Sequence, residues 1–473
     1  MKKQRILIIG AGDAGKELLK EITTHKELGI DPLGFVDDDK RKIGRKIGGL
    51  PVIGNISSLG NHIKDWQIDK VFIALPSVDG SIISDVLTRC VGAGVPCQTI
   101  PRVREIIEGK VDIRRVREVR MEDLLNRPVR KHDIGDVSAL ITNATVLVTG
   151  AAGSIGSELC RQIASYKPKR IVMYDWWENG LYEMGVEFKE FFPDIPIVLV
   201  VGNIQDRNRI EFTLAKYKPS IIFHAAAYKH VPLMEENLIE AVKNNIFGTQ
   251  ILAQSAKKEN VEKFVYISTD KAVNPTSIMG ITKSIGELMV GSLNTVSGTK
   301  FISVRFGNVL DSAGSVLPLF KKQIINGDEI TITDKNMTRY FMTIPEAVQL
   351  ILKAAVLGRG EEIFILDMGE PVKIIDLAKK FILLSGLLPD KDIKINYIGR
   401  RPGEKLTEEL ATKDEAMIKT KFEKIFVIKR NKAHVERLNT LIANLEKYCN
   451  IYNEKSVKEV LNSFVTNLNV RTS

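Results

Sequence analysis

The sequence lacks an apolar run that could cross a membrane, and it has few cysteines. A membrane-spanning helix needs about 20 consecutive apolar residues, whereas apolar runs such as 171–174 and 197–201 have the length of a β-strand. The first residues lead directly into a strand pattern without the apolar segment of a signal peptide, so we expect a cytoplasmic protein. The cysteines show neither zinc nor redox spacing and are expected to be reduced structural thiols: Cys90, Cys97, Cys160 and Cys449.

The chain also lacks a tract that collects its basic residues, although its net charge is +10. The densest basic patch, 110–120, contains no aromatic residue, a pattern that disfavours a nucleic-acid groove. A dispersed basic excess suits a protein that binds an anionic diphosphate. With 473 residues, 44% hydrophobic and 27% charged, the chain is predicted to be a soluble globular protein of two or three domains.

Two segments repeat one pattern: an apolar strand, a glycine turn, an amphipathic helix and a second strand that ends in an acid. The first segment has its glycine turn at 10–15 and its acid at Asp37. The second has its glycine turn at 150–156 and its acid at Asp175. Each pattern is the βαβ start of a doubly wound parallel sheet. The predicted fold class is therefore α/β, with two Rossmann-like doubly wound parallel-sheet domains.

These segments divide the chain into four predicted parts. They are an N-terminal Rossmann-like domain over 1–120, a linker over 121–143, a dinucleotide-binding catalytic domain over 144–430 and a C-terminal helical segment over 431–473. In the catalytic domain, apolar strand candidates alternate with helix-length segments. From residue 314 onward the alternation loosens, which indicates a smaller substrate-binding lobe, mainly over 314–430.

The second glycine turn has the features of a dinucleotide-binding loop. Glycines allow the tight turn and let a pyrophosphate approach backbone amides at a helix N-terminus. Asp175 lies where an acid binds the adenosine ribose hydroxyls, which favours NAD over NADP. The predicted cofactor-binding residues are Gly150, Gly153, Ser154, Ile155, Gly156, Asp175, Asn203, Ile204, Ala225, Ala226, Ala227 and Lys283.

Four longer motifs resemble those of a known enzyme family. They are TGAAGSIGSEL at 149–159, HAAAYKHVPLME at 224–235, STDKAVNPT at 268–276 and MGITK at 279–283. The first resembles the cofactor loop of extended short-chain dehydrogenases/reductases. Together, and over about 121–429, the motifs resemble the UDP-N-acetylglucosamine 4,6-dehydratases of capsule, lipopolysaccharide and protein-glycosylation pathways. The N-terminal segment resembles the first cytoplasmic domain of the large members.

The chain departs from this family's pattern in two respects. The large members carry transmembrane helices before the first domain, and this chain has none, so it is either naturally soluble or has lost that segment. Most short-chain dehydrogenases have tyrosine four residues before the ribose-binding lysine, whereas Met279 stands four residues before Lys283. The large dehydratases share the methionine, so the resemblance implies retention of configuration at C5. It also implies a homodimer or higher homo-oligomer.

The resemblance implies 4,6-dehydration of a UDP-sugar with tightly bound NAD and gives roles to a group of catalytic candidates. Oxidation at sugar C4 acidifies the C5 proton, and loss of the 6-hydroxyl is followed by hydride return at C6. Lys271 is the expected base at C5 and Asp270 the acid at O6. Thr269 is expected to hydrogen-bond O4, with Thr269 or a water relaying the O4 proton. Lys283 is expected to hold the nicotinamide ribose.

Further residues are expected to bind the UDP-sugar, and no metal site is predicted. Asn308 is expected to reach the diphosphate, while arginine side chains can offer paired donors to phosphate oxygens. Glu404 can accept hydrogen bonds from ribose hydroxyls, and Lys229 and His230 are expected to border the sugar pocket without a catalytic role for the histidine. The predicted substrate-binding residues are Lys229, His230, Asn308, Arg339, Arg401 and Glu404.

Two other functions fit parts of the sequence. A nucleotide-sugar 4-epimerase uses the same cofactor and the same oxidation at C4, but it would not need Asp270 and Lys271. A non-catalytic regulator that binds NAD or a nucleotide sugar could also carry two Rossmann-like domains, although the Asp270–Lys271 pair disfavours it. The first glycine turn, 10–15, has no catalytic group behind it, so ligand binding and scaffolding both stay open there.

Overall fold

The computed structural model describes residues 3–75, 78–100, 117–125, 135–295, 298–429 and 437–469. Residues 126–134 of the predicted linker and 110–116 of the basic patch lie outside this range. Within it, no helix is both long and apolar enough to cross a membrane. The described residues also contain no cluster of three or more histidine, cysteine or acidic side chains that could hold a metal ion.

The first elements form a sheet with flanking helices. They are β1 (Gln4–Ile9), α1 (Asp13–Thr24), β2 (Ile30–Val36), β3 (Lys46–Ile47), β4 (Leu50–Gly54), α2 (Leu59–Asp65), β5 (Lys70–Ile73), α3 (Gly80–Gly92), β6 (Cys97–Thr99), β7 (Arg117–Glu118) and α4 (Met121–Leu124). The strand order is β3-β4-β2-β1-β5-β6-β7. The central strand β1 pairs in parallel with β2 and β5. Its apolar run 6–9 is completely buried, as expected for a parallel strand covered on both faces.

The next elements build the centre of the second sheet. They are α5 (Gly135–Ile141), β8 (Thr145–Thr149), α6 (Ser154–Ala164), β9 (Arg170–Asp175), α7 (Glu178–Phe191), β10 (Ile197–Val201), α8 (Arg207–Tyr217), β11 (Ile221–His224), α9 (Val231–Glu236), α10 (Leu238–Val242), α11 (Thr249–Lys258), β12 (Lys263–Ile267), α12 (Ile278–Ser292) and β13 (Lys300–Arg305). One π-helical turn joins α10 to α11, and a short 3₁₀ turn follows β12.

The remaining elements follow β13 in short alternation. They are β14 (Asn308–Val309), α13 (Val316–Asn326), β15 (Ile330–Ile332), β16 (Thr338–Arg339), β17 (Phe341–Met342), α14 (Ile344–Leu357), β18 (Glu362–Leu366), β19 (Val372–Lys373), α15 (Ile374–Leu384), β20 (Ile395–Tyr397), β21 (Ile418–Lys419), β22 (Ile425–Lys429), α16 (Leu438–Asn450) and α17 (Glu454–Asn469).

The second sheet has the strand order β10-β9-β8-β11-β12-β13-β18-β22-β21. All neighbours from β10 to β18 pair in parallel, whereas β22 pairs antiparallel with both β18 and β21. The chain order reverses between β8 and β11, which is the switch point where doubly wound sheets bind their ligands. The predicted α/β class with two Rossmann-like sheets is confirmed.

Contacts divide the chain into two compact units. One comprises 1–131, 316–335 and 374–398, and the other comprises 132–315, 336–373 and 399–473. In the first unit, Leu383 of α15 belongs to the apolar core, and Lys380 Nζ donates to the carbonyl of Leu124 at 2.7 Å. The stretch 314–430, predicted as a substrate-binding lobe, is therefore divided between the two units. Its boundaries as a domain stay a prediction.

Candidate active site at the carboxyl ends of the second sheet

The glycine loop between β8 and α6 requires glycine at two positions. Gly150 has a left-handed φ of 66°, and a side chain there would lie 2.7 Å from the backbone nitrogen of Ala226. Gly156, in the first turn of α6, packs against the carbonyl of Gly150 and leaves no room for a side chain. Gly153 is the N-cap of α6, so no side chain covers the free amides of its first turn. The loop is therefore a concave backbone surface of the kind that accepts a pyrophosphate.

The remaining predicted residues of this loop are held by neighbouring segments. The hydroxyl of Ser154 accepts a hydrogen bond from the amide of Ala313 at 3.1 Å. Ile155 is half-buried against the core of the sheet. Ala225, directly after β11, donates its amide to the carbonyl of Thr149 at 3.1 Å. The stretch 225–227 consequently runs alongside the glycine loop, as a wall of a cofactor site would.

Asp175 ends β9 with its carboxylate turned toward the loop. One carboxylate oxygen accepts from the amide of Ala152 and the other from the amide of Trp177, both at 3.0 Å. The side chain is buried. Asp175 therefore fixes the distance between the strand end and the glycine loop, whatever ligand the loop binds.

Asn203 and Ile204 follow the edge strand β10 at the same end of the sheet. The hydroxyl of Tyr174 donates to the carbonyl of Asn203 at 2.9 Å. Ile204 is buried and packs where a side chain at Gly248 would collide with it. Both residues lie at the carboxyl edge that carries Asp175, and their contact with a cofactor stays a prediction.

A buried polar chain that begins at His224 lies beneath the loop, and the sequence analysis gave it no role. His224 Nδ1 lies 2.7 Å from the hydroxyl of Thr149, and Nε2 lies 2.9 Å from the hydroxyl of Thr249. Thr249 donates to the carbonyl of Asn245, so Nε2 of His224 must carry the proton and Nδ1 must accept. Burial, with help from the charge of Lys283, lowers the pKa of His224 to about 3.

Asn245 extends this chain to α12. Its amide nitrogen donates to the hydroxyl of Thr282 at 3.1 Å and to the carbonyl of Tyr228 at 3.0 Å. Its amide oxygen accepts from the backbone nitrogen of Tyr228 at 2.9 Å. The only signal in the sequence was a histidine at the end of an otherwise apolar buried strand, and its partners lie 25 and 75 residues away.

Thr269, Asp270 and Lys271 follow β12 and lie together. Asp270 Oδ1 accepts from the hydroxyl of Thr269 at 2.9 Å and from Lys271 Nζ at 3.0 Å. Lys271 Nζ also donates to the side-chain oxygen of Asn308 at 3.0 Å. Asp270 is completely buried, and its second oxygen, Oδ2, has no hydrogen-bond partner among the described residues. The geometry therefore joins a carboxyl group and an amine through one hydrogen bond and leaves one carboxyl oxygen available.

Met279 and Lys283 lie on α12, one turn apart. The side chain of Met279 is buried in an apolar cluster with residues of α10, α16 and α17. Lys283 is also buried; its Nζ donates to the carbonyl of Ile267 at 2.7 Å and lies 3.9 Å from the ring centre of Tyr266. Burial lowers the pKa of Lys283 to about 7, although the charge of Glu287 acts in the opposite direction.

Lys229 and His230 lie beyond β11 with exposed side chains. The surrounding protein and the charge of Lys271 lower the pKa of Lys229. The ring of His230 lies where a side chain at Gly314 would collide with it. Lys229 is therefore within electrostatic reach of the Asp270–Lys271 pair, and the predicted pocket role of both residues stays a prediction.

The predicted phosphate-binding arginines differ in their surroundings. Arg339 is buried, and its terminal nitrogens donate to the carbonyls of Thr338, Lys405 and Leu406 at 2.7–3.1 Å. These bonds use its donors to shape the loop 401–408. Arg401 is exposed, and the carboxylate of Glu404 accepts from its backbone amide at 3.2 Å. Arg401 has the freer guanidinium group, and the phosphate role of both arginines stays a prediction.

Glu408 is a second buried carboxyl group that sequence reasoning missed. Its Oε1 lies 4.0 Å from Lys271 Nζ and 3.9 Å from Arg339 Nε. It follows the motif at 401–405 by three residues, and an acid in that position carries no local signal of burial. Only the tertiary structure places it against the Asp270–Lys271 pair.

Taken together, the strand order, the glycine loop with Asp175 and the polar residues after β12 define an extended short-chain dehydrogenase/reductase fold. A family model described as polysaccharide biosynthesis protein matches residues 146–430, and one described as CoA-binding domain matches residues 1–101. The chain belongs to the polysaccharide biosynthesis protein family.

Individual relatives span most of the chain. A probable polysaccharide biosynthesis protein EpsC of Bacillus subtilis is 45% identical over 424 residues, which are 89% of this chain and 71% of that protein. A UDP-N-acetylglucosamine 4,6-dehydratase (inverting) of Campylobacter jejuni is 33% identical over 64% of this chain and 88% of its own. A UDP-glucose 4-epimerase of Rickettsia bellii is 32% identical over 58% and 80%.

A solved structure resembles part of the chain. The X-ray structure of Pen from Bacillus thuringiensis is 34% identical, covers 62% of this chain and 91% of its own, and superposes with a TM-score of 0.57. Through the sequence relatives named above, the chain is related to nucleotide-sugar dehydratases and epimerases.

Proposed function

We propose that this chain catalyses the NAD-dependent 4,6-dehydration of UDP-N-acetylglucosamine, with retention at C5, for bacterial glycan biosynthesis. The observation that carries the proposal is the hydrogen bond of 3.0 Å between Lys271 Nζ and Asp270 Oδ1 beyond β12. Elimination across C5 and C6 needs a base for the C5 proton and an acid for the leaving O6, and this hydrogen bond holds an amine beside a carboxyl group. The named dehydratase among the relatives adds support for the reaction class.

The residues of the glycine loop fit NAD. Gly150 and Gly156 leave a backbone surface that side chains would fill, and Asp175 stands at the strand end where a ribose would lie. NAD would bind along the loop between β8 and α6, with Lys283 near the nicotinamide ribose. When bound, it supplies the hydride acceptor for C4 and the hydride donor for C6.

Lys271 and Asp270 can complete the elimination without a further proton source. Lys271 as a neutral amine takes the C5 proton, and Asp270 as a carboxylic acid gives its proton to the departing O6. Lys271 then returns a proton to C5 as hydride adds to C6, and the O4 proton, relayed through Thr269, restores the acid form of Asp270. The hydroxyl of Thr269 donates to the same Asp270 oxygen and is thereby positioned to relay the proton of O4.

A 4-epimerase is the second candidate because a named UDP-glucose 4-epimerase is also among the relatives. An epimerase needs the hydride step at C4 but no proton transfer at C5. The Asp270–Lys271 pair would therefore have no role in an epimerase reaction. The buried free oxygen of Asp270 favours dehydration, since it offers an additional contact for a leaving hydroxyl.

The purified protein should be incubated with UDP-N-acetylglucosamine in deuterated water and followed by proton NMR and mass spectrometry. We expect a product lighter by one water, with a new methyl group and deuterium at C5. The C5 coupling pattern reports retention or inversion, a sharp question because the dehydratase relative is named as inverting. A C4-epimerised sugar without deuterium would establish the epimerase instead. Unchanged substrate with intact NAD would contradict both reactions on this sugar.

A further inference from the structure

Glu408 is a buried carboxyl group surrounded by three cations and bonded closely to none of them. Its Oε1 lies 4.0 Å from Lys271 Nζ and 3.9 Å from Arg339 Nε, and its Oε2 lies 4.0 Å from Lys405 Nζ. These distances exceed those of hydrogen bonds. Oε2 is buried and has no hydrogen-bond partner among the described residues. Burial makes a carboxyl group without close hydrogen-bond partners costly to keep ionised.

Two of the three cations are fixed in place by backbone carbonyls. Arg339 donates to the carbonyls of Lys405 and Leu406, and Lys405 Nζ donates to the carbonyl of Val273 at 2.7 Å. Neither has to change its charge during the reaction. Lys271 is different, because it must lose a proton before it can act as a base. Lys271 is therefore the one neighbour whose charge Glu408 can usefully control.

The surroundings of Glu408 keep its proton affinity adjustable. Burial raises the pKa of Glu408, Lys271 opposes that rise, and the nearby carboxylate of Asp270 adds to it. Arg339 and Lys405 also favour the ionised form. The ionised form of Glu408 therefore depends on its three neighbouring cations, and of these Lys271 is the one proposed to react.

We propose that Glu408 is a positioning residue that sets the charge of Lys271, an inference that rests on the proposed dehydratase function. As a carboxylate, Glu408 stabilises the ammonium form of Lys271. When a sugar nucleotide fills the site and displaces water, the separated charges lose their hydration. One N–H bond of Lys271 then breaks and one O–H bond of Asp270 forms along their hydrogen bond of 3.0 Å, which gives Asp270 the proton that it needs as the acid at O6. Lys271 is left neutral for the C5 proton.

The charge of Lys271 can be measured without turnover. We would follow acetylation of Lys271 by acetic anhydride against pH, using mass spectrometry of its peptide, in the wild type and in Glu408→Gln. Removing a negative charge 4.0 Å from Nζ favours the neutral amine. We expect the midpoint of the acetylation profile to fall by one pH unit or more in Glu408→Gln. In the deuterium-exchange assay at C5, the pH at which the exchange rate rises should shift downward by the same number of pH units. The NAD content should be unchanged.

Glu409→Gln is the matched control, because Glu409 is exposed and its carboxylate accepts from Asn274 Nδ2 at 2.7 Å. Its acetylation midpoint at Lys271 should equal that of the wild type. If Glu408→Gln does not fold, Glu408→Asp withdraws the charge by one methylene group and should lower the midpoint by a smaller amount. An unchanged midpoint in the folded Glu408 variant overturns the inference. If the midpoint shifts in Glu408→Gln but the wild-type protein yields no dehydrated sugar, the proposed function is overturned instead.

Discussion

The two glycine loops of this chain share a backbone design and differ in what surrounds it. In both, the first glycine has a left-handed φ, 99° at Gly10 and 66° at Gly150. In both, a later glycine packs against the carbonyl of the first, Gly15 in one loop and Gly156 in the other. The strand–turn–helix geometry is therefore independent of chemistry.

The acid at the end of the second strand shows the first difference. Asp37 accepts from the amide of Ala11 at 2.8 Å, much as Asp175 accepts from that of Ala152. However, Asp37 also forms an ion pair with Lys42 at 2.8 Å. Burial acts against ionisation, but the hydrogen bonds from Lys42 and the backbone lower the pKa of Asp37. In the first loop, a lysine of the chain itself lies against the carboxylate that a ribose would need.

The second difference lies in the residues that follow the strands beside each loop. β5, the neighbour of β1, is followed by Ala74 and Leu75, and the Leu75 side chain and the Ala74 carbonyl crowd Gly10. In the second sheet β11 is the neighbour of β8, and the next strand, β12, is followed by Thr269, Asp270 and Lys271, whose side chains bond to one another. A glycine motif thus specifies a turn, whereas the residues after the adjacent strands specify what the site can do.

The largest expected effect comes from the residue that has no counterpart in the first loop. Lys271→Ala should lower the dehydration rate by about 10³-fold or more, because a general base contributes about 10²–10⁴-fold and Asp270 also loses the hydrogen bond from Lys271. NAD released from the denatured protein should remain at wild-type amounts by chromatography. Lys42→Ala serves as the control and should leave dehydration unchanged. Wild-type turnover in Lys271→Ala would remove the assigned base.

The two left-handed glycines separate cofactor binding from folding. In Gly150→Ala, the left-handed backbone costs about 1–2 kcal/mol, and the new methyl group meets the backbone of Ala226 at 2.7 Å. We expect this variant to lose bound NAD and turnover. Gly10→Ala carries similar strain and should lose stability in denaturant yet keep its NAD. Loss of NAD in Gly10→Ala would mean that the first loop contributes to the cofactor site.

The pH dependence of stability should carry the signature of Lys283. Its pKa is about 7 in the folded protein because of burial, against about 10.4 in an unfolded chain. Between these values, the unfolded state binds one more proton at this side chain, so the stability of the ligand-free protein should rise with pH. The expected slope is about 1 kcal/mol per pH unit.

Urea unfolding of the ligand-free protein at pH 7, 8 and 9 measures this slope, and Lys283→Met should flatten it. Lys243→Met is a suitable comparison, because a hydrogen bond from Lys243 to the hydroxyl of Tyr452 raises the pKa of that lysine instead. A slope that persists in Lys283→Met would assign the buried charge to another group.

The smallest predicted effect is on NAD affinity and comes from replacing Asp175 or Asp37, the acids that follow the two glycine loops. Asp175→Asn should weaken NAD binding by about tenfold, since a hydrogen bond to a charged group contributes about 1.5–3 kcal/mol and part of it survives in the amide. Asp37→Asn should leave NAD affinity unchanged. Titration calorimetry with the cofactor-free protein measures both, and equal weakening in the two variants would contradict the separation of the loops.

The sequence allowed the fold and the main site to be predicted because their signals are local. The strand-length apolar run 197–201 coincides with β10, and the predicted glycine turn at 150–156 begins directly after β8. Polar residues directly after an apolar strand lie at the carboxyl edge of a parallel sheet, and Thr269 to Lys271 follow β12 at the edge where the glycine loop follows β8.

Residues whose surroundings come from distant segments could not be predicted in the same way. Nothing in α15 indicates that Leu383 joins the N-terminal core, because its amphipathic pattern fits any apolar partner. The surroundings of His224 and Glu408 consist of hydrogen-bond partners and charges that other strands and loops contribute. Arg339 was expected at phosphate, and its carbonyl partners Lys405 and Leu406 are visible only in three dimensions.

The helices α16 and α17 have a consequence for folding during synthesis of the protein. Leu445 and Leu461 close the apolar cluster that holds Met279 and Ile285 of α12. The ribosome adds these two leucines after every strand of the sheet and every proposed catalytic residue. A nascent chain therefore keeps the back of α12 exposed until translation is almost over. The product of a premature stop near residue 430 would contain all of the proposed reacting groups. It would still expose the apolar face of α12, and exposed apolar surface is what quality-control proteases recognise.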